Sequence, residues 1–283
     1  DPRTDDEMMN EAYNIASKAD VVVAILGEPS DLSGEASSRS QIGLPGRQLD
    51  LLKILLQTGK PVVLVLINGR PLTIEYEAAH VPAILEAWHG GTETGNAVAD
   101  VIFGKVNPSG KLTMTFPVNV GQIPIYYNHK NTGRPYYGDK NDKFKSQYID
   151  VQNQPLYPFG YGLSYTTFSY SDLKLDKQKL SSGGTLNISV KLTNTGKSDG
   201  AEVAQLYIRD MVGSITRPLK ELKGFRKVFL KAGESRILNF TITASDLAFY
   251  NANLQYKAEP GDFKVFIGTN SDDCLEANFE LTK

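Results

Sequence analysis

A single cysteine, Cys274, stands in 283 residues, which excludes an internal disulfide framework and a cysteine-rich zinc site. Histidine is nearly as scarce. His80, His89 and His129 are the only three, none at metal-ligand spacing from another, so no metal site is expected. Neither sign of charge prevails, because 30 Lys and Arg face 32 Asp and Glu for a formal net charge of −2. That balance offers no footprint for nucleic acid or for an anionic membrane surface. No run nears the roughly 18 apolar residues that span a bilayer. A Gly-x-Gly-x-x-Gly and a Walker phosphate loop are both absent, which leaves nucleotide cofactors without support. No Gly-x-Ser-x-Gly elbow follows a strand for a serine nucleophile. The expected cofactor is none.

The composition that remains is ordinary for a globular protein, 41% hydrophobic and 22% charged, over a length that suggests two domains at roughly 100–200 residues each. The chain opens Asp1-Pro2-Arg3 without an initiator Met or signal peptide. It enters at once a helical pattern with Met8, Met9, Ala12, Ile15, Ala16 and Ala19 on one face. A mature protein can begin this way, and so can a fragment that starts inside a domain.

The first part alternates strand and helix. Val21 to Leu26 is an unbroken apolar run, the pattern of a strand buried on both faces of a parallel sheet. Leu49, Leu52, Leu55 and Leu56 form a helical stripe with Gly59 at its C-cap. Pro61 to Ile67 reads as a second buried strand and Ala83 to Ala87 as a third, with a helix from about Glu93 to Phe103. This β-α-β order implies a parallel sheet with right-handed crossovers. Three strands are few where about five are common, so the expectation is a sheet cut at its N-terminal side, with an open edge or an exposed apolar patch.

From Leu173 the period shortens to two. Leu186, Ile188, Val190 and Leu192 alternate with polar residues, and so do Leu238, Phe240, Ile242 and Phe263, Val265, Ile267. Turns at Asn194-Thr195-Gly196, Ala232-Gly233-Glu234 and Pro260-Gly261-Asp262 separate the runs. Short strands at this spacing predict an all-β sandwich, and without a cysteine pair fibronectin type III suits better than immunoglobulin. The expected fold is thus α/β: a partial parallel-sheet (α/β) sandwich domain over 1–126, a Tyr-rich linker over 127–168, and an all-β fibronectin type III-like domain over 169–283. About the linker cluster eight of fourteen tyrosines, at 126, 127, 136, 137, 148, 157, 161 and 165. They either pack the linker against its surroundings or line a sugar-binding surface.

Ligands of open parallel sheets sit outside the carboxyl ends of the strands. There the first strand feeds a loop, Gly27 to Arg39, carrying Glu28, Asp31, Glu35 and Arg39. Glu35, beside Gly34, could project into a neighbouring site or merely be solvated. Glu28 lies nearer the strand but could simply anchor the loop. From the residues alone the reading ends at two domains and a carboxylate site.

Ser33-Gly34-Glu35-Ala36-Ser37-Ser38-Arg39 resembles the acid/base loop of glycoside hydrolase family 3. Further motifs match in the family's order: Asn68-Gly69-Arg70-Pro71, Trp88-His89-Gly90-Gly91-Thr92-Glu93, Asn107-Pro108-Ser109-Gly110-Lys111-Leu112, the stretch Leu156 to Phe168, and Arg217 to Phe225. Essentially the whole chain is similar to the family's bacterial periplasmic β-glucosidases. One departure is Ala232, where the family usually has Pro. The resemblance implies the C-terminal part of a retaining exo-β-glucosidase acting on terminal β-D-glucosyl residues of a β-glucoside or oligosaccharide. It also implies a periplasmic location. The Asp nucleophile would lie on an N-terminal barrel of the same parent chain, which nothing here resembles. Glu35 would be the catalytic acid/base, with a pKa raised by burial or by the nucleophile's charge, and Arg39 would hold the loop. No nucleic acid or membrane partner is implied. The alternative is a non-catalytic carbohydrate- or protein-binding module.

Overall fold

The structure is a computed structural model that describes residues 2–136 and 143–283; Tyr137 lies outside them. The chain forms two compact units. One comprises residues 1–103 with 116–124, the other 104–115 with 125–283.

The first unit begins with helix α1 (Asp5–Ala16), fixed at its start by a capping box: Glu7 N donates to Thr4 Oγ1 at 3.3 Å while Thr4 N donates to Glu7 Oε2 at 2.7 Å. Asp5, Asp6 and Glu7 in its first turn suit the positive end of the helix dipole. Strands β1 (Val22–Gly27), β2 (Val62–Ile67) and β3 (Ala83–Glu86) make a parallel sheet in the order β1-β2-β3, pairing Val22 with Val62 and Val63 with Ala83. Helices α2 (Gln48–Gln57) and α3 (Glu75–His80) fill the connections, and α4 (Thr94–Ile102) follows β3. Gly59 closes α2 at φ +70°, its N–H donating to Leu56 O. The short helix α3 went unforeseen because its six residues, Glu-Tyr-Glu-Ala-Ala-His, carry no apolar stripe.

The central strand behaves as expected, with Val62, Leu64, Val65 and Leu66 wholly buried. β1 corrects the expectation of burial on both faces. Ala24 is buried, but Val23 and Ile25 are 44% and 61% exposed, and Val21 is exposed beside them. The reason is position: β1 pairs only with β2, and among the described residues nothing covers its outer face. An apolar run therefore marks a strand without revealing how many faces are covered. The expected open edge is present.

The second unit is a β-sandwich. One sheet runs β5-β13-β12-β7-β8 (Lys179–Leu180, Cys274–Leu281, Gly261–Gly268, Gly200–Asp210, Glu221–Leu230) and the other β4-β6-β9 (Phe168–Leu175, Thr185–Asn194, Ser235–Thr243). A small hairpin, β10 (Phe249–Tyr250) with β11 (Tyr256–Lys257), stands apart. Leu186, Ile188, Val190 and Leu192 of β6 all face one core together with Leu206, Ile208, Leu238, Phe240, Val265 and Ile267. The period-two pattern translates directly into that inner face.

Two sequence motifs fasten to each other in this unit. Leu112 N donates to Tyr161 O and Gly160 N to Leu112 O, both at 2.7 Å. Lys111 Nζ reaches Glu202 Oε2 at 3.0 Å, Gly162 O at 2.9 Å and Thr269 Oγ1 at 3.0 Å. All three ammonium protons thus find acceptors, as a nearly buried lysine requires. Tyr127 stacks on Phe159 at 4.4 Å and meets Tyr207 edge-on at 5.6 Å, and Tyr157 stacks on Tyr161 at 5.0 Å. These rings pack within their own unit, whereas Tyr126, Tyr148 and Tyr165 are exposed. Ala232, where the family usually has Pro, uses its N–H to reach Asp199 Oδ1 at 2.9 Å, a bond proline could not make.

Candidate active site

The carboxyl ends of β1, β2 and β3 open onto one surface of the first unit, and three glutamates stand there in three environments. Gly27 ends β1 at φ +142°, so close to β2 that an added Cβ would lie 1.9 Å from Ile67 O. Only glycine fits. Its N–H and C=O are both taken by the Gln48 side chain, each at 2.8 Å. Gln48, from the first turn of α2, thereby supplies the bonds a further strand would make at that edge.

Glu28 follows at once, with its side chain fully buried. Arg39 Nη1 lies 2.6 Å and Arg70 Nε 3.0 Å from its Oε1, and Gly69 N donates to Oε2 at 3.4 Å. Arg70 continues through Nη2 to Leu32 O and to Ser37 O at 3.1 Å, and Arg39 Nη2 donates to Gly43 O at 2.9 Å. One buried carboxylate and two guanidinium forks thus tie the start, middle and end of the loop together. Glu28 is the anchor, and Arg39 holds the loop as expected.

Glu35 sits at the corner of that loop. Ser37 N donates to Gly34 O at 3.3 Å, closing a tight turn with Glu35 and Ala36 at its centre. Ala36 holds φ +59°, the position where such a turn prefers glycine. The Glu35 side chain is exposed, and among the described residues nothing pairs with its carboxyl. The turn's strain and the arginine clamp fix the backbone beneath an unencumbered acid.

The third glutamate, Glu86, ends β3. Its Oε1 accepts from Trp88 N at 3.1 Å, and the buried Asn68 side chain at the end of β2 lies against it. Burial pushes this carboxyl up to about 7. Trp88 adopts φ +51°, unusual for a bulky residue, and packs on Phe116 at 5.8 Å. In the sequence, Asn68 and Trp88 stand in motifs without an assigned role, and Glu86 reads only as part of a strand. Their place at successive strand ends was the available signal.

Among the described residues no group of three or more His, Cys, Asp or Glu could hold a metal ion, and no helix is long and apolar enough to cross a membrane.

Comparison with known proteins places this surface in a family. Residues 3–165 match the glycosyl hydrolase family 3 C-terminal domain, and residues 202–271 a fibronectin type III-like domain. The chain is 52% identical over 281 residues to a periplasmic β-glucosidase of Salmonella typhimurium, covering 99% of this chain and 37% of that protein. It is 46% identical over 261 residues to a β-xylosidase of Formosa agariphila, covering 92% and 35%. A crystal structure of a β-glucosidase from Listeria innocua in complex with glucose superposes with a TM-score of 0.95 at 42% identity, over 99% of this chain and 39% of that one. The chain therefore spans little more than a third of the relatives it matches. With a partial parallel sheet followed by a fibronectin type III-like sandwich, and a family match over more than half its length, the chain belongs to glycoside hydrolase family 3.

Proposed function

We propose that this chain is the C-terminal part of a retaining exo-β-glucosidase and that Glu35 is its general acid/base. The observation that carries the reading is the contrast within one loop: Glu28 is buried and paired to two arginines, while Glu35 stands exposed and unpaired on the turn they brace. A group that must protonate a glycosidic oxygen, then deprotonate a water, needs a fixed backbone and a free carboxyl. In a retaining enzyme the partner carboxylate lies about 5–5.5 Å away. Here it is an Asp on an N-terminal barrel of the parent chain. Residues 1–126 then belong to the (α/β) sandwich domain, 127–168 to a linker, and 169–283 to the fibronectin type III-like domain. The substrate is a β-glucoside or oligosaccharide, met in the periplasm. A relative named β-glucosidase and another named β-xylosidase share this region with the chain, which supports sugar preference being set outside it.

The test uses the full-length parent carrying Glu35→Gly, assayed on aryl β-glucosides with activated and unactivated leaving groups, with and without azide. The expected outcome is that the unactivated substrate suffers most and azide restores turnover, yielding a β-glucosyl azide. Equal loss on both substrates with no azide effect would make Glu35 structural and the assignment wrong.

A further inference from the structure

The small hairpin of the second unit carries two large rings outside its core. Tyr250 in β10 and Tyr256 in β11 stand directly opposite each other, 65% and 62% exposed. Their ring centroids are 5.0 Å apart and their planes are tilted by 51°. Strand alternation accounts for the direction: the preceding residue, Phe249, is buried, so Tyr250 points the other way. Among the described residues no hydrogen bond engages either phenol hydroxyl. The turn between the rings holds an exposed Leu254 at φ +58°, in the left-handed region that a leucine rarely enters.

The hairpin is held firmly in this shape. The side chain of Asn251, itself buried, closes the turn from inside by accepting from Asn253 N at 3.0 Å and Gln255 N at 3.1 Å. Leu254 N donates to Asn251 O at 3.0 Å. Beneath β10 the Arg217 guanidinium lies 4.0 Å from the centre of the Phe249 ring, while its Nη2 donates to Glu221 Oε2 at 2.8 Å. Just past β11, Glu259 accepts from Ser214 N at 2.8 Å and from Ser214 Oγ at 2.7 Å. Rings fixed in place before a ligand arrives lose little freedom when it binds.

We propose that Tyr250 and Tyr256 form a sugar-binding platform for a β-linked glucan, each ring stacking on the apolar face of one of two successive glucosyl residues. A tyrosine joins a flat apolar face to a polar tip, which suits a pyranose, apolar on its faces and rimmed by hydroxyls. The 5.0 Å between the rings is close to the step from one glucosyl residue to the next in such a chain. Their tilt suits a glucan whose successive residues are turned relative to each other, as in a helical chain. A protein partner fits less well. Two such rings offer about 150–250 Å² each, short of the about 800 Å² per partner that a stable interface buries, and Asn253, Gln255 and Lys257 beside them are exposed and polar. That the glucan is β-linked rests on the reading of the chain as part of a β-glucosidase; the platform itself does not.

The test is native electrophoresis of the chain in gels cast with laminarin, a β-linked glucan, or with dextran, an α-linked one. Migration should slow in laminarin and not in dextran. The slowing should be lost when Tyr250→Ala is combined with Tyr256→Ala, and largely kept when both become Phe, which preserves the ring faces. Glu35→Gln should slow as the wild type does, so a failure of the acid/base assignment leaves this readout unchanged. No slowing in laminarin, equal slowing in dextran, or slowing that survives the alanine pair overturns the proposal. A fall in molecular mass by light scattering on removing the rings also overturns it, because the face would then be a contact between copies. Should the alanine pair not fold, NMR of the wild-type chain titrated with laminarin decides. Shifts of the Tyr250 and Tyr256 ring resonances are expected, and unmoved rings overturn the proposal.

Discussion

Replacing Glu28 by Gln removes the charge that two guanidinium groups share while keeping the side chain's volume. The carboxylate is wholly buried, and Arg39 and Arg70 are only 16% and 23% exposed. At an effective dielectric constant of about 20, each pair is worth about 4 kcal/mol gross at a charge separation of about 4 Å. Desolvation offsets much of that, but losing one member of a buried pair still costs about 3–5 kcal/mol, because the partners are left uncompensated. The glutamine oxygen can still accept from one arginine, so the expected loss is about 3 kcal/mol, the lower end of that range. Urea unfolding followed by Trp88 emission reads the first unit. With a slope of about 2 kcal/mol/M the midpoint should fall by about 1.5 M. Arg70 also holds Leu32 O and Ser37 O, so the loop should loosen before the sheet does, and trypsin should cleave after Arg39 faster than in the wild type. A midpoint shift under about 0.5 M, with unchanged proteolysis, would refute the anchoring role and reopen Glu28 as a candidate for chemistry.

Other perturbations test other joints. Gly27→Ala should cost about 2–4 kcal/mol by driving β1 away from Ile67 O, seen as faster hydrogen exchange at Glu28 N, which donates to that oxygen at 2.9 Å. Lys111→Met leaves Glu202, 3% exposed, without its countercharge; the second unit should lose about 3–5 kcal/mol in thermal melting, and adding Glu202→Gln should recover most of it. Glu86 is raised from 4.5 to about 7 in the folded chain, so the native state keeps a proton that the unfolded chain gives up between those values. Stability is therefore full below pH 4.5 and falls as pH rises through 7, by up to about 3 kcal/mol. Glu86→Gln should remove that slope in denaturant titrations across the range, and an identical slope in the variant would contradict the assignment.

Periodicity carried most of the architecture. The inner face of β6 and the buried strand β2 follow directly from where Leu186 to Leu192 and Val62 to Leu66 place their side chains. What it could not carry was the count of covered faces. Val23 and Ile25 are as apolar as Val65, and only the absence of a neighbour on one side of β1 exposes them. Glu28 illustrates a second limit. Its partners Arg39 and Arg70 are 11 and 42 residues away, and no local pattern announces that a carboxylate will be buried between them. The Lys111–Glu202 pair spans a still longer separation and belongs to packing, although its lysine sits in a motif that resemblance alone singled out.

The three glutamates at the strand ends show how one sheet edge sets carboxyl groups to different tasks. Glu28 is buried and charge-paired, so it can hold a loop but cannot reach a substrate. Glu86 is half-buried with no charged residue bearing on it, and burial pushes its carboxyl up to about 7. Glu35 is exposed and has no partner for its carboxyl among the described residues. An acid that has to change protonation state twice in a cycle is poorly served by a fixed countercharge, which would hold it ionised. Bracing the loop through Glu28 and the arginines, one turn away, gives the Glu35 carboxyl a defined place without a countercharge, which is what the proposed acid/base role requires.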